Sequence, residues 1–464
     1  MNIVSEIRKQ AHGDLVAIRG DRKQITFDSL FAAVDEIRSR LLEQPCFGTG
    51  NIPRVGVIFP NGPAYIIVAL AVLEAGGCFV PIPDELTESE REALVSTTAL
   101  DLVVKSDASG FPLPLETGNA IIAVMGKYQP GFPVDRFEAL NPAFIRFSSG
   151  TTGDSKGVVL SHETLLARIL AANEGLKLSA GDVVLWTLPM AHHFAVTIIL
   201  YLYHGVTTVL ETSNRPDLLF QAARDSETNL LYGSPFHFAQ LAQCMEARPL
   251  PHLRMAVSTA SALSEEVADA FRKRFQLPLT QALGIIEIGL PILNTAHAQD
   301  NPAALGQALP AYETKIASDG ELFIRGPGMF DAYLSPWQPR EDVARDGWFA
   351  TGDLVEITDD GTIVMHGRKK SVINVGGMKV FPEEIETVLD SHPSIMKSRV
   401  FPERHPTLGS YPAAEVVVKD GCELPNPAEI RKHCLGKLSP YKLPMRVAAV
   451  NSIALTASGK VKRL

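Results

Sequence analysis

The chain has 464 residues, 46% of them hydrophobic and 20% charged, which is enough apolar mass for more than one globular domain and too much for a disordered chain. A net charge of -9 argues against a broad nucleic-acid surface, and five cysteines with no CxxC pair point to neither a disulfide framework nor a zinc site. The charge is uneven: from Gly367 onward there are 16 Lys and Arg against 9 Asp and Glu, so a segment at +7 follows a remainder at -16, the pattern of two separately folded units. With no basic-then-apolar leader and no apolar run long enough to span a bilayer, the expectation is a soluble protein of the reducing cytoplasm.

Along the chain, Leu30, Val34, Ile37 and Leu41 repeat at helical spacing after a short strand at 25–27, which predicts an amphipathic helix. Arg54-Val55-Gly56-Val57-Ile58-Phe59 predicts a buried strand, Asn61-Gly62-Pro63 turns into an apolar helix closed by Gly76-Gly77, and Cys78-Phe79-Val80-Pro81-Ile82 predicts the next strand. Strand, helix, strand with apolar strands implies parallel pairing in an α/β domain. An acidic helix at 87–95 and a strand near Leu102 follow, and neither carries recognisable chemistry.

Ala143-Phe144-Ile145 reads as a strand end and Thr164-Leu165-Leu166-Ala167-Arg168 as helix. Between them runs Phe147-Ser148-Ser149-Gly150-Thr151-Thr152-Gly153-Asp154-Ser155-Lys156-Gly157. Glycines let successive N–H groups converge on an anion, hydroxyls donate further bonds, and Lys156 adds a full positive charge, so the stretch is composed to hold phosphate. It is not a Walker A box, because Lys156 is followed by Gly157 and the glycine spacing differs.

Downstream, His192-His193 follow Trp186-Thr187-Leu188-Pro189-Met190-Ala191, with no carboxylate or cysteine at ligand spacing to make them a metal site. Residues 191–200 contain no acid, and Phe194, Val196, Ile198 and Ile199 are apolar. A strand at 253–257, a small-residue turn at 258–264 and a helix at 265–275 precede Gln281-Ala282-Leu283-Gly284-Ile285-Ile286-Glu287. A further strand leaves the turn at Gly320. Then come Asp346-Gly347-Trp348-Phe349-Ala350-Thr351-Gly352-Asp353 and the basic run Gly367-Arg368-Lys369-Lys370, where the charge balance changes. Residues 372–380 read as a strand pair bent at Gly376-Gly377, and Pro382 with Glu383 and Glu384 opens a helix. The chain closes on Leu455-Thr456-Ala457-Ser458-Gly459-Lys460 and a basic tail.

In this order and at this spacing, from Ile25 to Lys460, these stretches resemble the acyl-adenylate-forming superfamily of acyl-CoA synthetases, peptide-synthetase adenylation domains and luciferase, and are nearest to acyl-CoA synthetases. The resemblance implies an α/β fold with a large multi-layer N-terminal domain (1–366), a hinge (367–371) pivoting at Lys370, and a small mobile α+β C-terminal domain (372–464). It implies ATP- and Mg2+-dependent conversion of a carboxylic acid to an acyl-adenylate with release of pyrophosphate, then acyl transfer to a thiol.

Residue by residue, the resemblance places Ser148, Ser149, Gly150, Thr151, Thr152, Gly153 and Lys156 on the nucleotide phosphates, and Gly284 in the nucleotide motif. Glu287 helps to hold Mg2+, Asp353 accepts the ribose hydroxyls and Arg368 reaches the ribose and phosphates. His192 lies beside the substrate carboxylate, Lys460 is the catalytic lysine and Gly377 lines the thiol's path. Adenylation domains for α-amino acids carry an aspartate in the His192 motif to pair with the ammonium, and its absence here directs Phe194 and Ile198 to an uncharged, fatty-acid-like tail.

Two positions depart from the pattern. Leu283 stands where an aromatic ring stacks on adenine, forfeiting about 0.5–1.5 kcal/mol, and Ile286 replaces a threonine, forfeiting about 1 kcal/mol of hydrogen bonding. Free CoA is the first acceptor the resemblance implies and the phosphopantetheine arm of an acyl carrier protein the second, the basic C-terminal segment suiting an acidic carrier. A reading of another class is a partner protein that binds ATP or an acyl group and has lost turnover.

Overall fold

In the computed structural model the described residues are all except 11, 21–22, 85, 126–130, 148–155, 214, 376–377, 406–408, 436, 456–460 and 462–464. They divide into two compact units, residues 1–313 with 325–348, and residues 314–324 with 349–464.

The first unit is built on two sheets. Among the described residues the larger has nine strands, with a parallel centre formed by Leu279–Ile285, Met255–Ser258, Leu230–Gly233, Val183–Trp186, Thr207–Leu210 and Val16–Arg19 in that spatial order. The other has eight, and in it Arg54–Ile58 lies parallel to Cys78–Pro81, as the strand, helix, strand pattern predicts. The connecting helix Pro63–Glu74 opens with proline in its first turn and buries ten of its residues, so it has no polar face and is covered on all sides. Amphipathic helices Pro216–Asp225, Pro235–Gln243 and Glu265–Phe275 cover one face of the nine-stranded sheet through a core that includes Phe220, Phe238, Phe271 and Leu279. No helix among the described residues is long and apolar enough to cross a membrane.

Helix His162–Leu176 packs against strands of both sheets. Its N-cap is Ser161, whose hydroxyl accepts from the Thr164 N–H, and its start corrects the expectation of a strand, loop and helix around the phosphate stretch. The residues after Lys156 form a strand, Gly157–Ser161, antiparallel to Pro142–Phe147 with Phe147 opposite Gly157. The β-branched pair Val158-Val159 and Leu160 favour extended backbone, so the stretch leaves and re-enters one ladder and the helix begins only after it.

The second unit contains a four-stranded sheet, Glu313–Ile316, Glu321–Arg325, Phe349–Ile357 and Ile363–Arg368, and a sheet made by Met378–Val380, Ile373–Val375, Gly409–Val418 and Ile395–His405, with Arg446–Ala449 alongside Gly409–Val418. Helix Pro382–Asp390 covers the latter over Val380, Ile385, Leu389 and Val400. By packing, residues 349–366 group with the C-terminal unit, because strand Phe349–Ile357 pairs with Glu321–Arg325. Charge changes sign later than the backbone changes unit.

Candidate active site

The phosphate end of the candidate site is assembled in the first unit from three segments distant in sequence. Lys156 sits where the phosphate stretch re-enters the ladder, and its Nζ lies 4.7 Å from the centroid of the Tyr333 ring. The strand Ala332–Tyr333 pairs with Gly157–Ser161, Tyr333 opposite Val158, so the ladder itself holds the tyrosine beside the lysine. The Tyr333 hydroxyl donates to Glu287 Oε1 at 3.0 Å. Burial and the neighbouring carboxylate both raise the phenol's pKa, so it keeps its proton and acts as a donor.

Glu287 stands in the turn after Leu279–Ile285. The Phe330 N–H donates to its backbone carbonyl at 2.7 Å, and the Tyr312 hydroxyl donates to the Ile288 carbonyl at 3.3 Å. Gly289, at φ +111, closes the turn, and a Cβ there would meet Arg168 and Tyr312 at 3.3 Å, which only glycine avoids. Arg168, on the helix between the sheets, is 2% exposed and donates through Nε to the Gly328 carbonyl. Burial pushes its guanidinium down to about 10. Arg146, two residues before Ser148, is half-buried. Burial lowers it too to about 10, Glu287 opposes that shift and Arg168 adds to it. Its Nε has no hydrogen-bond partner among the described residues. Arg146, Lys156 and Arg168 thus gather with two carboxylates, Glu287 and Asp331, the latter accepting from the Ser161 N–H and the Thr164 hydroxyl. The surplus is positive, which suits an anionic ligand.

The other end lies at the carboxyl ends of the parallel strands, the usual crevice of an open α/β sheet. Gly284 is exposed, with no atom closer than 3.8 Å to where a Cβ would stand, while Leu283 and Ile286 are half-buried aliphatic neighbours. The turn beside them carries Ala260 at φ +73, a conformation that favours glycine, and Thr259, whose hydroxyl donates to the Ala282 carbonyl. Tyr232 stacks on Trp186 at 5.5 Å and 24°, and burial pushes its phenol up to about 12.

His192 and His193 lie on the short helix Met190–His193, whose approach is pinned by Asn61: its amide donates to the Leu188 carbonyl and its Oδ1 accepts from the Met190 N–H. His192 is half-buried, and the His193 ring stands edge-on to Trp186. Phe194 and Ile198 are fully buried, the Phe194 ring lying against Tyr65 and Phe79.

In the second unit Asp353 and Arg368 face one another across the hairpin, with Arg368 Nε 2.8 Å from Asp353 Oδ1. Asp353 is fully buried and Arg368 is exposed. Lys369 is taken up by Asp319 and Glu321 at 2.6 and 2.7 Å, whereas Lys370 is exposed in the turn Lys369–Ser371. Lys460, Gly377, Ser148, Ser149, Gly150, Thr151, Thr152 and Gly153 lie outside the described residues.

Residues 6–334 match the family model of the AMP-binding enzymes, and residues 384–460 match that of the AMP-binding enzyme C-terminal domain. The chain belongs to the AMP-binding enzyme family. Members of this family are AMP-forming ligases, and so is this AMP-binding enzyme. The CoA ligases among them use ATP, Mg2+ and CoA. It is similar over its whole length to 4-coumarate--CoA ligase-like 4 of Oryza sativa subsp. japonica, 27% identical over 509 residues that cover 92% of that protein. It is also similar to indoleacetate--CoA ligase of Aromatoleum aromaticum, at 28% identity covering 96% of this chain and 93% of the other. ATP-bound MatB from Rhodopseudomonas palustris shares the fold, with a TM-score of 0.85, 22% identity, and coverage of 100% and 98%.

The donor chemistry of the phosphate end fits magnesium. Glu287 offers one hard carboxylate, and no group of three or more His, Cys, Asp or Glu gathers elsewhere among the described residues to hold a metal. A Mg2+ held by Glu287 would take its remaining oxygens from phosphate and water, as this ion usually does.

Tyr333, Arg146, Arg168 and Asn61 carry no role in the sequence reading. Asn61 was visible only as a turn residue, and Tyr333 reaches Glu287 across 46 residues, a distance at which a single sequence gives no signal.

Proposed function

We propose that this AMP-binding enzyme activates an apolar carboxylic acid as its acyl-adenylate and transfers the acyl group to CoA. A carboxylate oxygen of the acid attacks the α-phosphorus of ATP, the bond from that phosphorus to the bridging oxygen breaks, and pyrophosphate departs with the bonding pair. The CoA thiolate then attacks the acyl carbon, and AMP leaves.

The observation that carries the reading is the convergence of Lys156 and Glu287 on one tyrosine at the mouth of the phosphate hairpin. Lys156, with Ser148, Thr151 and Thr152, holds the leaving pyrophosphate by charge and hydrogen bonds. Glu287 is the carboxylate that holds Mg2+, which when bound screens the negative charge of the phosphates. His192 meets the acid's carboxylate. In the second unit, Asp353 accepts the ribose hydroxyls and Arg368 lies beside it. Lys460 stabilises the charge shared by attacking and phosphoryl oxygens, Lys370 serves as the pivot between the half-reactions, and Gly377 borders the thiol's approach.

An apolar tail, fatty or aromatic, is favoured by the absence of any acid in residues 191–200 and by the stacked Trp186 and Tyr232. Relatives named for coumarate and indoleacetate give the aromatic class equal standing with the fatty acids. Those relatives are CoA ligases, which favours CoA over a carrier protein's phosphopantetheine as acceptor.

The test is pyrophosphate release from Mg·ATP across short, medium and long fatty acids, aryl acids, malonate and amino acids, for wild type and Lys460→Ala. Release with one apolar class, cut by more than about 100-fold in the variant, is the expected result. Release with none of them would leave a nucleotide-binding protein without turnover.

A further inference from the structure

Tyr333 has no part in the family motifs as read from the sequence, yet it touches both charged partners of the phosphate end. Its ring stands under the Lys156 ammonium at 4.7 Å and its hydroxyl donates to Glu287 Oε1 at 3.0 Å. A tyrosine buried only to fill space would be served as well by phenylalanine. Here the polar end is 7% exposed with its residue and is spent on a carboxylate. The backbone around it is over-determined: Tyr333 pairs with Val158, the Leu334 N–H donates to the Gly157 carbonyl at 2.7 Å, and the Phe330 N–H donates to the Glu287 carbonyl. The backbone that carries the ring is therefore fixed against both the strand after Lys156 and the turn of Glu287.

We propose that Tyr333 is a positioning residue for Mg·ATP, seating the Lys156 ammonium on its π face and fixing the Glu287 carboxylate through Oε1, so that Oε2 is presented to the metal. A ring under an ammonium restrains it without neutralising it, and a donor on one carboxylate oxygen fixes the orientation of the other. This inference rests on the reading of Lys156 and Glu287 given above, and it assigns the coupling between them.

The full chain is titrated with α,β-methylene-ATP by calorimetry, in Mg2+ and in EDTA, as wild type, Tyr333→Phe and Tyr333→Leu, and the Mg2+ dependence of pyrophosphate release is measured in parallel. Tyr333→Phe keeps the ring and loses the hydroxyl. Its affinity in EDTA stays within about twofold of wild type, while the gain in affinity conferred by Mg2+ falls about tenfold and half-maximal pyrophosphate release needs about tenfold more Mg2+. Tyr333→Leu loses in addition several-fold in EDTA, because the ammonium has lost its seat. A Tyr333→Phe protein with the wild-type response to Mg2+ in both measurements overturns the proposal, even if its Tm falls, since that is what a purely structural tyrosine gives. If Tyr333→Leu does not fold, the phenylalanine variant decides alone. Wild type that binds the analogue with a Mg2+ gain but releases pyrophosphate with no acid overturns the ligase reading and leaves this one standing. Wild type that turns over with no Mg2+ gain in binding does the reverse.

Discussion

The phosphate end and the base end of the candidate site lie in one unit and are built on opposite plans. At the phosphate end, side chains of alternating charge are tied to one another: Lys156 to the Tyr333 ring, Tyr333 to Glu287, Arg168 to the Gly328 carbonyl behind them. At the base end, Leu283 and Ile286 offer aliphatic contact, Gly284 offers bare backbone, and the turn is held by Ala260 in a left-handed conformation. One end offers a ligand charge and fixed geometry, the other offers shape. A grip by charge fails when one group is lost, whereas a grip by shape tolerates substitution at the cost of affinity.

The widest effect acts on the stability of the unit that carries both ends. His162, at the start of its helix and at the far end of the ladder from Lys156, accepts the Ile3 N–H, and His237 accepts the Ser234 N–H, so both rings are neutral in the fold, and burial pushes both down to about 4 from the ordinary 6.5. The unfolded chain takes up these protons first. Stability is therefore complete above pH 6.5 and is lost as pH falls toward 4, by up to about 3 kcal/mol for each histidine. Thermal unfolding followed from pH 7.5 to 4 should show Tm falling through that window, with a shallower fall in His237→Gln. A flat profile would mean that the rings ionise freely in the fold.

Glu287→Gln tests the charged end alone. Pyrophosphate release should drop on the order of 100-fold with little change in Tm, and a loss of less than about threefold would remove Glu287 from the metal's reach.

Restoring the missing groups tests the other end. Ile286→Thr should lower KM for ATP about fivefold through one hydrogen bond, and Leu283→Tyr about two- to tenfold through stacking. If both variants leave KM unchanged, the base does not lie where the sequence motif puts it.

The smallest effect is conformational. Ala260→Gly relieves a positive φ and should raise stability by roughly 0.5 kcal/mol, about 1 °C in Tm. A lower Tm would show that the methyl group is needed for packing.

The large architecture was legible because apolar strands and helices write their periods into the sequence, as the parallel pairing of Arg54–Ile58 with Cys78–Pro81 shows. Asp353, Arg368, Lys156 and Glu287 stand out in the sequence one at a time because each sits in a distinctive string. Their partners do not. Arg368 meets Asp353 only because a hairpin puts them opposite each other, and Tyr333 meets Lys156 only because a strand from beyond residue 330 joins the ladder. The strand Gly157–Ser161 is short and lies between a glycine-rich stretch and a helix, so its period is barely written, although Val158 and Val159 suit extended backbone.

That strand changes what kind of object the phosphate stretch is. Phe147 and Gly157 are opposite members of one rung, so its entry and exit are fixed together whatever lies between. For a segment anchored in this way, closing a longer or shorter span alters the entropy cost only slowly with length. The two anchors belong to the sheet and not to the stretch, so the ladder that carries Lys156 and Tyr333 is specified by Pro142–Phe147, Gly157–Ser161 and Ala332–Tyr333 alone.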